Sequence, residues 1–386
     1  MAYPSTVRAI EAQLGTLAQR HRTLCTRGVA AHRSHEGRTT SYVRVSAGDG
    51  GRPVLFTGGA HAREWAPPDA LLTLLERLLD AYAAQADLVI PAFTDTIPAR
   101  DIAYPAAVVP AAEVQRILDG VQLYVLALIN PDGRAFTQSS AANAQWRKNR
   151  RPPPPGSSCA GVDLNRNHNV AWDFQRYYNR SGEAAVSASK DPCDPQVYIG
   201  PAPASEPEAR NVATLLRERR IEYYVDVHSF SRKLLFPWGM DHNQSADPAQ
   251  SYRNRAWDNR RDGMPGGPYG EYISPGLLAA HEQVGGAMHD AILDAAGDDP
   301  RARARSDYAV EPSLALYPTT GTASDYAFSL QFDDDPPASR VISFTLECGS
   351  DADGEGGFQP VPAIYPKIER EVHLSLIAML RQAARD

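Results

Sequence analysis

Three apolar runs constrain the fold of this chain most strongly. "VQLYVLALIN" begins at Val121, "IEYYVDVHSF" at Ile221 and "VISFTLE" at Val341. Each has the length of one strand, and continuous apolar character is typical of a strand buried on both faces. Helical segments such as "EPEARNVATLLRER" (206–219) lie between them. This alternation predicts an α/β fold with a mixed, mostly parallel, twisted sheet and helices on both faces.

The N-terminal part of the chain adds two strands and two helices to this pattern. "TVRAIEAQLGTLAQRH" (6–21) predicts an amphipathic helix, and "TTSYVRVS" (39–46) and "RPVLFTGG" (52–59) predict strands. "PPDALLTLLERLLDAYAAQ" (67–85) predicts a helix, because prolines are tolerated in a first turn.

The 386 residues show neither an internal repeat nor an interdomain linker. We therefore predict a single domain over residues 1–386, with surface insertions near 86–112, 178–192 and 255–275.

The net charge of -7 gives no reason to expect nucleic acid or a membrane surface as a partner. Neither a membrane-spanning run nor the apolar region of a signal peptide is evident. A complete chain would be cytoplasmic, and one whose leader was removed would be secreted or periplasmic.

The stretch "HAREW" suggests part of a metal site. His61 and Glu64 are three residues apart on the turn before a helix, so both can face one ion. His228 ends a predicted buried strand, where open α/β sheets gather ligands. Two histidines, one carboxylate and a water form the open arrangement of hydrolytic zinc. Taken singly, Glu64 also fits a carboxylate at a helix N-terminus, and His228 a hydrogen-bonded strand-end histidine.

A general base for such a site is available at Glu347, which ends the apolar run "VISFTLE". A carboxylate beside zinc can take a proton from water and later deliver it to a leaving amine.

The chain resembles the zinc carboxypeptidases of the pancreatic carboxypeptidase A/B family, also called M14. The matching motifs occur in the family's order over nearly the whole chain: "SHEGR" (34–38), "GGAHAREW" (58–65), "NPDG" (130–133), "WRKNR" (146–150), "CAGVDLNRN" (159–167), "VDVHSF" (225–230), "LYPTTGTASDY" (316–326) and "FTLE" (344–347). Because the "SHEGR" match already begins at Ser34, we expect an enzyme without a pro-segment, more similar to the bacterial members.

The resemblance implies one Zn²⁺ ion held by His61, Glu64 and His228. It implies a peptide or protein substrate with a free C-terminal carboxylate, and a zinc-bound water activated by Glu347. It places Arg150 at the position that stabilises the oxyanion.

The resemblance also implies a set of substrate-binding residues. Asn165 and Arg166 would bind the terminal carboxylate, since an amide and a guanidinium form paired hydrogen bonds with it. Tyr317 would cover the substrate and Arg147 would line its route. Arg63 and Ser229 would occupy further subsites.

Ser324 falls at the floor of the specificity pocket, with Gly239 at another pocket position and Phe358 nearby. Because no buried acid is evident there, we expect apolar or aromatic C-terminal residues. Cys159 and Cys193 match the family's disulfide pair, which favours an oxidising compartment; two free thiols are the alternative.

Two other functions stay open. A relative of the family could hydrolyse cell-wall peptides or other amides, and a non-catalytic member could bind peptides only. The second is disfavoured because the three metal positions and the glutamate are all intact. The sequence leaves the oligomeric state open.

Overall fold

The computed structural model describes residues 3–48, 50–96, 101–241, 245–264, 266–267, 269–332 and 340–385. Within these residues the main sheet has eight strands, in the order β1-β2-β8-β3-β9-β12-β10-β11. Strands β8, β3, β9 and β12 are mutually parallel and form its centre. The strands are β1 Cys25–Val29, β2 Ser41–Val45, β3 Arg52–Gly58, β4 Leu88–Ile90, β5 Phe93–Asp95, β6 Ile102–Tyr104, β7 Ala107–Val109, β8 Val121–Leu126, β9 Tyr223–His228, β10 Lys233–Phe236, β11 Ala309–Pro312 and β12 Ile342–Glu347.

Helices connect the parallel strands, as parallel pairing requires a crossover. They are α1 Val7–Arg20, α2 Ala66–Ala84, α3 Ala111–Gly120, α4 Pro131–Thr137, α5 Phe174–Tyr177, α6 Arg180–Ala185, α7 Pro207–Glu218, α8 Pro275–Ala295, α9 Pro300–Arg305, α10 Ala323–Ser329 and α11 Tyr365–Ala383. Among the described residues, no helix is long and apolar enough to cross a membrane.

The central strands are buried on both faces. In β3, Val54 and Phe56 pack into one core with helices α1, α2, α3, α8 and α11. Leu55 points to the opposite face and packs with Tyr224 and with residues of α7 and α10. Successive side chains of a strand point to opposite faces, so one apolar run supplies both cores. The predicted α/β fold, with helices on both faces of the sheet, is confirmed.

The predicted elements are confirmed within a few residues of their bounds. The strand predicted from "VQLYVLALIN" ends at Leu126, and the chain then continues to Asn130, which caps α4 by accepting a hydrogen bond from the Gly133 amide. Strands β10 and β11 and the long helices α8 and α11 add to the predicted set.

The segments predicted as insertions carry short elements. In the first segment, 86–112, residues 97–100 lie outside the described residues, and the described part contains two small two-stranded sheets, β4–β7 and β5–β6. Residues 178–192 contain α6. In the third segment, 255–275, residues 265 and 268 lie outside the described residues. Cys159 and Cys193 form the predicted disulfide, while Cys25 and Cys348 are free and buried.

Candidate active site

The candidate site lies where the central parallel strands end. His228 is the last residue of β9 and Glu347 is the last residue of β12, and the two residues are paired in register. Neighbouring β3 ends at Gly58, and His61 follows three residues later. The carboxyl ends of parallel strands meet at one edge of a sheet, and ligands commonly bind there. The fold thus joins residues that are far apart in sequence.

His61, Glu64 and His228 bring possible metal-binding atoms within 4.8 Å of one another. His61 Nδ1 lies 2.6 Å from Glu64 Oε1, and His228 Nδ1 lies 3.0 Å from Glu64 Oε2. The two Nδ1 atoms are 3.1 Å apart. All three side chains are buried. Two imidazole nitrogens and one carboxylate form a donor set that suits a zinc ion with an open position.

Each of these histidines has a carboxylate behind it. His61 Nε2 is 3.1 Å from Asp163 Oδ1, and His228 Nε2 is 2.8 Å from Asp226 Oδ2. Such partners fix the ring so that the other nitrogen faces the metal. Neither aspartate was predicted from the sequence as a site residue. A signal existed for Asp226, since residues two apart in a strand lie on the same face.

The charges at this centre shift its pKa values. Burial favours the neutral carboxyl of Glu64, but the nearby His61 and His228 hold its pKa below the ordinary value. Burial also favours neutral His228, yet Asp226 and Glu64 raise its pKa well above the ordinary value. The site therefore favours a negative Glu64 carboxylate beside a positive charge, which is either a proton on His228 or a metal ion in place of that proton.

Glu347 lines the same cavity as His61 and Glu64, and it is paired in register with His228 at the strand ends. Burial raises its pKa to about 7, although the positive charge of His228 opposes this rise. A carboxyl with a pKa near neutrality can accept a proton and return it. This geometry suits the general base predicted at the end of β12.

The structure separates the two arginines of "WRKNR". Arg147 lines the cavity and donates two hydrogen bonds to Asp163, at 3.1 and 2.9 Å. Arg150 is not among the described residues that line it. The guanidinium of Arg150 stacks instead on Phe136, 3.7 Å from the ring centroid. The position of Arg150 therefore does not support the oxyanion role predicted for it, because its guanidinium stacks on Phe136, whereas Arg147 lines the cavity.

Asn165, Arg166 and Tyr317 lie together on another wall of the cavity. A short 3₁₀ helix, Leu164–Arg166, presents the first two, and Asn165 Oδ1 accepts a hydrogen bond from the Ala323 amide. Backbone carbonyls hold Arg166 through Nε and Nη1. Tyr317 is 39% exposed and its ring lies 5.9 Å from the Arg166 guanidinium, so it sits at the cavity mouth.

Arg63, Ser229 and Phe358 complete the rim near the metal-binding residues. The Arg63 guanidinium lies 3.9 Å from the centroid of the Phe358 ring. Burial, and then the charge of Arg147, lower the pKa of Arg63. With Arg166, the structure thus places three guanidiniums on the cavity wall, a favourable setting for anionic groups.

Ser324, predicted at the floor of the specificity pocket, lines the same cavity. Its Oγ accepts a hydrogen bond from Thr345 Oγ1 at 3.1 Å. Gly239 is not among the described lining residues, but a Cβ there would come within 2.5 Å of Oγ1 of Thr319, which does line the cavity. Six further lining residues were not predicted from the sequence as site residues: Leu235, Ser313, Leu316, Thr319, Thr322 and Thr345. The cavity measures about 180 Å³.

Comparisons with known proteins agree with this geometry. Residues 10–373 match the sequence profile of the family described as zinc carboxypeptidase. Carboxypeptidase B from Astacus astacus is 32% identical over 53% of this chain and 55% of its own length. Carboxypeptidase A1 from Sus scrofa is 31% identical over 55% of this chain and 42% of its own length. The chain thus spans about half the length of these curated relatives.

Solved structures show the same fold. Bovine thrombin-activatable fibrinolysis inhibitor, in complex with a tick carboxypeptidase inhibitor, superposes with a TM-score of 0.68 at 18% identity, covering 99% of this chain and 97% of that one. Carboxypeptidase A from Helicoverpa armigera superposes with a TM-score of 0.68 at 23% identity, covering 99% and 74%. Because its profile match extends over most of the sequence, the chain belongs to the zinc carboxypeptidase family.

Proposed function

We propose that this protein is a zinc-dependent metallocarboxypeptidase that hydrolyses the C-terminal peptide bond of peptides or proteins. One observation carries the proposal: a single cavity is lined by two of the metal-binding residues, His61 and Glu64, with His228 in contact with Glu64. The same cavity is lined by Glu347 and by the side chains of Arg147, Asn165 and Arg166. A metal centre alone would fit many hydrolases. The guanidinium and amide groups beside it suit a substrate that ends in a free carboxylate.

His61, Glu64 and His228 would hold one zinc ion, which supplies Lewis acidity toward a water and the scissile carbonyl. Glu347 would accept a proton from the attacking water and pass it to the leaving amine. Arg147 would stabilise the negative charge that develops on the carbonyl oxygen, since its position is fixed by Asp163 before the reaction begins.

The remaining residues would orient the substrate. Arg166 and Asn165 would bind the terminal carboxylate, and Tyr317 at the cavity mouth would cover it. Arg63 and Ser229 would contact residues upstream of the cleaved bond.

The end of the cavity near Ser324 would accept the C-terminal side chain. Leu235 and Leu316 line the cavity and support the preference for apolar or aromatic residues. A second preference, for C-terminal residues with short hydroxyl or amide side chains, is favoured by hydroxyl groups in the cavity lining. Five lining residues carry such groups: Ser313, Thr319, Thr322, Ser324 and Thr345.

A peptide panel that varies only the last residue tests both the reaction and the preference. We expect mass spectrometry to show loss of one C-terminal residue, inhibition by a chelator and recovery with zinc. Matched peptides with an amidated C-terminus should resist cleavage. Equal cleavage of free and amidated peptides would favour the alternative, a relative that acts on other amide bonds, and binding without cleavage would favour a non-catalytic member.

We infer further that residues 1–386 form one catalytic domain and that it works in an oxidising compartment. The Cys159–Cys193 disulfide supports the second inference, since such bonds persist mainly in oxidising surroundings.

A further inference from the structure

A buried line of polar side chains lies behind His228. Tyr224, Asp226 and His228 alternate along β9 and therefore share one face of the sheet. Thr57 lies beside them on β3, paired in register with Asp226. All four residues are at most 1% exposed. Polar groups buried to this extent need defined hydrogen-bond partners.

The hydrogen bonds along this line have only one consistent direction. Thr57 Oγ1 donates to Asp226 Oδ1 at 2.8 Å, so the Tyr224 hydroxyl must donate to Thr57 Oγ1, also at 2.8 Å. The other oxygen, Asp226 Oδ2, lies 2.8 Å from His228 Nε2. An ionised carboxylate can only accept, so Nε2 of His228 carries a proton.

This arrangement determines what His228 offers to a metal. With its proton on Nε2, a neutral imidazole has a free lone pair on Nδ1. That atom faces Glu64 and His61. Asp163 behind His61 differs, because it also accepts hydrogen bonds from Arg147 and from the Asn165 amide. The recorded side-chain partners of Asp226 are Thr57 and His228.

We propose that Asp226, oriented by Thr57 and Tyr224, is a positioning residue that selects the metal-binding tautomer of His228. This inference rests on the proposed zinc function. Its readouts are zinc affinity and the tautomer of His228, so a failure to cleave peptides would count against the proposed function alone.

The first test is Asp226→Asn, which keeps the size of the side chain. The Thr57 hydroxyl still needs an acceptor, so the amide oxygen would face Thr57 and the amide NH₂ would face His228 Nε2. That nitrogen must then accept, and its proton moves to Nδ1, where it blocks metal binding. We expect zinc affinity to fall about 10- to 100-fold, measured by competition with a fluorescent chelator. In the metal-free protein, ¹⁵N NMR should show His228 protonated on Nδ1.

A matched pair of Thr57 variants gives a second measurement that does not remove the buried charge. Thr57→Val removes the hydroxyl with little change in shape, whereas Thr57→Ser retains it. We expect weaker zinc binding in Thr57→Val and affinity close to that of the unmodified protein in Thr57→Ser. If Asp226→Asn folds, binds zinc with unchanged affinity and keeps the Nε2-protonated tautomer, the proposal is overturned. If that variant does not fold, equal zinc affinities of the two Thr57 variants overturn it.

Discussion

Asp163 connects Arg147 to His61. Arg147 donates from Nε and Nη2 to Asp163 Oδ2, at 3.1 and 2.9 Å, while Asp163 Oδ1 lies 3.1 Å from His61 Nε2. Burial disfavours the charged carboxylate, but Arg147 and His61 hold the pKa of Asp163 well below its ordinary value. One carboxylate thus orients both a cavity arginine and a metal-binding histidine.

The two arginines of "WRKNR" should differ in their effect on activity. We expect Arg147→Ala to lower kcat/KM about 10²- to 10³-fold, because a fixed donor to the developing oxyanion is lost. Arg150→Ala is the matched control and should change kcat/KM little, since its guanidinium packs on Phe136 away from the cavity. Steady-state kinetics on one peptide checks both variants, and a larger loss for Arg150→Ala would restore the role predicted from the sequence.

Glu347→Gln should separate metal binding from turnover. The amide cannot take a proton from water, so we expect kcat to fall about 10²- to 10⁴-fold. Zinc content, measured by mass spectrometry of the metal, should stay at one ion per chain because the donors are His61, Glu64 and His228. Glu36→Gln is a control at an exposed carboxylate that pairs with Arg38. A Glu347→Gln variant with normal turnover would remove this residue from the mechanism.

The fold was predictable because its central strands are marked by apolar runs. "IEYYVDVHSF" and "VISFTLE" are continuous enough to predict buried strands, and each ends at a site residue, His228 or Glu347. Parallel strands place such terminal residues at one edge of the sheet, so the apolar runs already predicted that His228 and Glu347 lie close together.

The substrate cavity was less predictable, because its walls depend on how loops pack. Arg147 and Arg150 are three residues apart, and sequence spacing alone does not show which one enters the cavity. The packing of the folded chain distinguishes the two arginines, because Arg150 stacks on Phe136, a residue of α4. Thr345 was also missed, since a hydroxyl inside an apolar run carries no distinct signal until Ser324 is placed beside it.

The Cys159–Cys193 disulfide should contribute to stability. It links residues 34 positions apart, and loop-closure entropy predicts a stabilisation of roughly 3–4 kcal/mol for such a loop. We expect the Cys159→Ser/Cys193→Ser double variant to show a free energy of unfolding lower by about that amount in urea titrations. Cys25→Ser, at a free buried cysteine, controls for loss of a thiol without a crosslink. An unchanged free energy of unfolding in the double variant would contradict the entropic estimate.

A pair of buried carboxyls at the start of α7 should give opposite pH effects. Asn149 Nδ2 donates to both Glu206 and Glu208, at 2.8 and 3.0 Å. Burial raises the pKa of Glu208 to about 7. Glu206 is also buried, but hydrogen bonds from His35 and Asn149 hold its pKa below the ordinary value.

Above about pH 4.5 the carboxyl of Glu208 has lost its proton in the unfolded chain. In the folded protein the same carboxyl keeps its proton up to about pH 7, because its pKa is raised. Stability therefore falls as pH rises from about 4.5 through 7, by up to about 3 kcal/mol for this group. Glu208→Gln should remove that loss, so the stability of this variant relative to the unmodified protein should rise between pH 4.5 and pH 8.

Glu206→Gln should show the reverse trend, because a lowered pKa stabilises the fold above about pH 4.5 and this contribution disappears as pH falls. Urea unfolding of both variants at several pH values from 3 to 8 measures these differences, and parallel profiles for the two variants would contradict the opposite pKa shifts.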